Sequence, residues 1–137
     1  MNSLKIESKV GFSQNKEYVI SYLQSRGVKT ASYYELIRNN DFGLLKNNVI
    51  KVSGIEYRVD AICSCSKNSG FDIVEINKNL ETSQGDILVI AGVAGDDVIC
   101  IKLSTGEIFL WLIETGEWEK VFVSSSIDSF INMIVYK

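Results

Sequence analysis

Three apolar runs separated by glycine-bearing turns dominate the second half of the chain. Asp86 to Ala91 is apolar nearly throughout, the pattern of a strand covered on both faces. Gly92 to Asp97 is a turn rich in Gly and Asp. Val98 to Leu103 is a second strand, Ser104-Thr105-Gly106 a turn, and Glu107 to Ile113 a third strand. Thr115-Gly116 turns again into Trp118 to Val123. Turn signals about every ten residues, between β-branched and aromatic runs, mark a meander of neighbouring strands. Ser124 to Ser126 then offers an N-cap, and Ile127, Phe130, Ile131 and Ile134 fall on one helical face running to Lys137.

The first half mixes two periods. Val19, Tyr22 and Leu23 have the spacing of an amphipathic helix over Asn15 to Arg26, with Gly27 where a left-handed C-cap belongs. Thr30 to Asn40 predicts a second helix with a capping box at Ser32-x-x-Glu35; Tyr33, Leu36 and Ile37 face the core and Asn39-Asn40-Asp41 end it. Val49 to Ile62 predicts a hairpin. Ile50 and Val52 alternate with polar residues, Ser53-Gly54 turns, and Ile55, Tyr57 and Val59 alternate again. Cys63 to Gly70 is a polar loop. Phe71 to Leu80 is a short helix with Phe71, Ile73 and Val74 inward, broken at Asn77 to Asn79. Helices, then strands, then a helix make this α+β: N-terminal helices, an antiparallel sheet of hairpin plus C-terminal meander, and a last helix packed on it.

Composition narrows the class. The 137 residues fit one domain, taken as 1–137, and 46% hydrophobic with 23% charged is globular. No apolar run reaches the roughly 18 residues of a membrane span, and the start has no signal-peptide core, so a cytoplasmic chain with reduced cysteines is expected. The net charge of −3 argues against direct nucleic-acid binding and suits a basic protein partner. The chain has no histidine, which removes His-paired nucleophiles, His-ligated zinc and the commonest general base. It has no proline, so turns rest on Gly, Asn, Asp and Ser.

Candidate chemistry is sparse. Cys63-Ser64-Cys65 lacks the second pair that a tetrahedral metal site needs, and Cys100 inside a strand reads as a small core residue. Gly92-Val93-Ala94-Gly95 fits neither phosphate-loop pattern and reads as a turn requiring positive φ. Asp96-Asp97 lacks the further carboxylates of a calcium loop and reads as a solvated turn within an acidic rim. Tyr33-Tyr34 and Trp111 read as core. Glu114, Glu117 and Glu119 surround Trp118 near Gly116. An exposed Trp ringed by acids suits a protein-binding hot spot facing a basic surface; the alternative is Trp118 folded back on the sheet with the acids simply hydrated. No catalytic residue, cofactor or metal is expected.

The element order resembles the SMI1/KNR4 (SUKH) superfamily. Ile90-Ala91, the segment Gly95 to Ile101, the strand Thr105 to Trp111 and the closing Ser126-Ile127-Asp128-Ser129-Phe130-Ile131 carry the similarity. Asn39-Asn40 stands where the family has an Asn-Gly, without the Gly, and the family's proline at the helix entry is missing. The resemblance implies a non-enzymatic binding protein. Many bacterial members look like immunity proteins that bind and block a cognate toxin, often a nuclease; eukaryotic relatives are regulatory scaffolds. The expectation is therefore an immunity protein, monomer or homodimer, that docks Asp96, Asp97, Glu114, Glu117, Trp118 and Glu119 on a basic toxin. The acidic residues are read from the sequence, not from a family motif. A scaffold without a toxin partner is the alternative.

Overall fold

The computed structural model describes residues 6–7, 16–28, 30–31, 33–35, 44–45, 48–62, 73–78, 85–95, 97–112 and 119–136. The fold is α+β. In chain order it runs β1 Ile6–Glu7, α1 Lys16–Ser25, β2 Leu44–Leu45, β3 Asn48–Val52, β4 Ile55–Ile62, α2 Ile73–Lys78, β5 Ile87–Val93, β6 Asp97–Lys102, β7 Ile108–Leu112, β8 Glu119–Ser124, α3 Ile127–Met133 and β9 Val135–Tyr136. The strands join in one antiparallel sheet ordered β1-β2-β4-β5-β6-β7-β8, with β3 on β4 and β9 on β3.

The β5–β8 meander forms where turn chemistry allows it. Gly95 and Gly106 take φ of +93° and +81°, a region costly for residues with a Cβ. Gly92 instead lies within β5. At the β6–β7 turn the Gly106 N–H donates to the Lys102 carbonyl at 2.7 Å, and the Lys102 N–H donates to the Glu107 carbonyl at 2.8 Å. In the β3–β4 hairpin Ser53 and Gly54 both have positive φ, as a two-residue type I′ turn requires. Ile50 and Val52 are buried and Val59 fully so, but Ile55, expected to face inward, is 55% exposed. It sits beside the turn, opposite Val52, at the tip of the hairpin.

The core spans both halves. Leu88, Ile99, Ile108 and Leu110 from the meander meet Leu23, Tyr33, Ile73 and Phe130, all within 2% of complete burial. Trp111 and Cys100 are core, as their places in apolar strands predict. The α1 helix ends one residue before the expected Arg26, and Gly27 has φ +90°. Arg26 ties this end to the sheet: its Nη1 donates to the Tyr22 hydroxyl at 2.8 Å and its Nη2 to the Gly85 carbonyl at 3.0 Å. Residues 31 and 33–35 are helical, and the Thr30 carbonyl accepts from the Tyr34 N–H at 3.3 Å. This agrees with a helix starting at Thr30. Ser32 of the expected capping box, Leu36, Ile37, the Cys63 to Gly70 loop and Phe71 lie outside the described residues.

One expectation fails here. The last helix does not run to Lys137. It stops at Met133, Ile134 turns extended (φ −73°, ψ 124°), and Val135–Tyr136 pair with β3. Two β-branched residues in succession favour strand there over another helical turn. The α2 helix ends at Lys78, within the Asn77 to Asn79 stretch expected to end it, and Asn77 is completely buried in its last turn.

Candidate protein-binding surface

The hairpin connections decide which residues share an end of the sheet. In an antiparallel meander the β5–β6 and β7–β8 links fall at one end and the β6–β7 link at the other. The register makes this concrete. Val98 pairs with Trp111, which places Asp97 level with Leu112, and Leu112 pairs with Glu119. Asp97 and Glu119 are therefore at the same end, two strand spacings or about 10 Å apart along the backbone. The links 94–96 and 113–118, which hold Asp96, Glu114, Glu117 and Trp118 in sequence, both leave from that end. Those four residues themselves lie outside the described residues.

Asp97 departs from the sequence reading. It was expected in a solvated turn; it is the first residue of β6, opposite Val93, and only 6% exposed. A carboxylate so covered cannot be a contact on the free surface. The β5 strand continues through Val93, two residues further than the Gly92 turn implied, so Asp97 opens β6 within the sheet and not in the turn.

The side of the sheet near β8 carries a feature that the sequence did not single out. Phe122 is 51% exposed and packs edge-to-face on the half-buried Phe109, with ring centroids 5.9 Å apart. The two residues are cross-strand partners. Along the same register row exposure falls from Phe122 through Phe109 to the buried Cys100 and Val89. Phe122 lies between Val121 and Val123 in an unbroken apolar run, so alternation gave no sign of which would face water. Among the described residues β8 pairs with β7 alone and ends the sheet path.

At the opposite end an open groove of about 430 Å³ lies between Val28 and Thr30 on one side and Ile101, Leu103 and Thr105 on the other. Its volume matches small-molecule pockets, but its polar rim is already committed. The Ser104 hydroxyl and N–H both donate to the Asp86 carboxylate, at 2.8 and 3.0 Å. The Thr105 hydroxyl donates to Glu107 at 3.0 Å and accepts the Glu107 N–H. Few polar groups remain to converge on a ligand. Among the described residues no group of three or more His, Cys, Asp or Glu could hold a metal ion, and no helix is long and apolar enough to cross a membrane.

A family model described as SMI1 / KNR4 family (SUKH-1) covers residues 4–133, nearly the whole chain. No curated protein and no solved structure matches.

Proposed function

We propose a function from one premise: the chain belongs to the SMI1/KNR4 family (SUKH-1). It is a non-enzymatic binding protein of the cytoplasm, and its partner is a toxin that it neutralises by direct contact. The family match across residues 4–133 carries this reading. The partner is basic. The end of the sheet from which the 94–96 and 113–118 links leave meets it, with Glu114, Glu117, Glu119 and Asp96 as the acidic rim and Trp118 among them; Phe122, three residues further along β8 and roughly 10 Å from Glu119, adds an apolar anchor on the β8 margin.

Two physical arguments support the division of labour. Acids at the rim of an interface speed encounter with a basic surface and are screened by salt, whereas a half-exposed aromatic gains most when a partner covers it. Asp97 is left out of the contact set because it is buried. Occupying the basic ground where a nuclease holds phosphate would block its substrate without any chemistry by the inhibitor.

The charge test is Glu117→Lys with Glu119→Lys, read by titration calorimetry against the toxin at low and high salt. Affinity should fall at low salt, and its salt dependence should flatten. Phe122→Ala should weaken binding by about tenfold or more at every salt concentration, the scale of a modest hot spot. Unchanged affinity in both variants overturns this placement of the surface.

A further inference from the structure

Asn77 is fully buried in α2 yet makes three strong contacts. Its Nδ2 donates to the Ile73 carbonyl one turn back at 2.8 Å and to the Val89 carbonyl at 2.9 Å. Its Oδ1 accepts the Val89 N–H at 2.6 Å. The orientation of the amide is fixed by this set. Reversing it would aim an oxygen at two carbonyls and an NH₂ at an N–H.

Val89 lies past the described part of the β4–β5 ladder. Among the described residues the last pair of that ladder is Ile62 with Ala91, and β4 spans Ile55–Ile62. A ladder continued in that register would reach Val89 two residues past Ile62. The N–H and C=O of Val89 that such a strand would bond are both taken by the Asn77 amide. The opposite side of β5 has its register shift next to this point, between Val89 and Ala91 against β6.

We infer that the Asn77 carboxamide stands in for a strand: it closes the margin of β5 at Val89, fixes where the β4–β5 ladder ends, and shuts that margin against strand addition. An open strand margin is a template for pairing with another chain. A single amide offers the same donor and acceptor that a strand residue offers, and α2, anchored by the buried Ile73 and Val74, holds it in place. This is a conformational device built from one side chain.

The test is amide hydrogen exchange by NMR on the purified chain and its Asn77→Ala variant. Loss of global stability speeds exchange of the sheet amides together. Loss of a strand surrogate adds a local effect at Val89, so the Val89 amide should speed up at least tenfold more than those of Leu88 and Ile101. Equal acceleration of all three overturns the inference. Should Asn77→Ala fail to fold, Asn77→Asp supplies an independent readout. A carboxylate there accepts from the Val89 N–H but faces two carbonyls with no proton, so its folded pKa is raised above the usual carboxylate value. The neutral acid regains one donor, so the variant should gain stability relative to the wild type as pH falls from 7 towards 4, and lose it again as pH rises through the raised value. Parallel pH profiles for the two proteins overturn the inference.

Discussion

Tyr34 shows how much one hydroxyl can carry. It donates to the carbonyl of Val28, six residues earlier, and so joins the helical stretch after Thr30 to the turn that ends α1. Burial pushes its pKa above the ordinary 10.0. The folded chain therefore prefers the neutral phenol. The contribution is fully present below the unfolded value near pH 10 and is lost as pH rises through the higher folded value. Tyr34→Phe should cost about 1 kcal/mol at pH 7, because the Val28 carbonyl loses its donor. The gap should narrow above pH 10, where the wild type alone pays for ionisation. Urea melts of both proteins at pH 7 and pH 10.5 check this; a constant gap would contradict it. Residue identity alone gave no hint of the contact, since Tyr33-Tyr34 reads as core by composition and the hydroxyl's partner is set by the preceding turn.

At the scale of elements, caps and turns were the most legible part of the sequence. Ser126 caps α3 with its hydroxyl accepting the Ser129 N–H at 3.1 Å, as the Ser-rich stretch before the helix implied. Ser126→Ala should lower stability by about 1 kcal/mol, measured by thermal or chemical melts. Ser53 sits at φ +52° in the β3–β4 turn, a conformation that Asn adopts more readily than Ser. Ser53→Asn should therefore stabilise the fold by a few tenths of a kcal/mol, and a loss would argue against the turn geometry. What the sequence could not convey were pairings between distant segments. β9 exists because Val135 finds Val49 across the sheet, and a helical face read from Ile127 to Ile134 cannot reveal where the helix yields to that partner. Asn is poor in helix interiors, and Asn77 stands one residue before the end of α2; its bonds to Val89, twelve residues on, are a distant pairing of the same kind.

At the scale of the whole molecule, the order of strands brings Asp97 and Glu119 to one end of the sheet, 22 positions apart in sequence, through the meander register alone. The fold was legible because its apolar runs, bounded by glycine turns, mark the meander directly. The candidate surface was legible only in part. Charge and aromatic content can be read along the chain, but exposure cannot: Asp97 is covered and Phe122 is not. Buried and margin strands use the same residue types, so exposure depends on which place in the sheet a strand occupies.

The most direct test of toxin neutralisation is co-purification of the tagged chain with the protein encoded by the neighbouring gene, the two co-expressed. Neutralisation by direct binding requires recovery of one basic partner in a fixed stoichiometric ratio, with the partner's toxic activity silenced in the complex and weakened capture by the Glu117→Lys/Glu119→Lys variant. Recovery of several housekeeping proteins and no such partner would contradict it and favour the regulatory-scaffold reading.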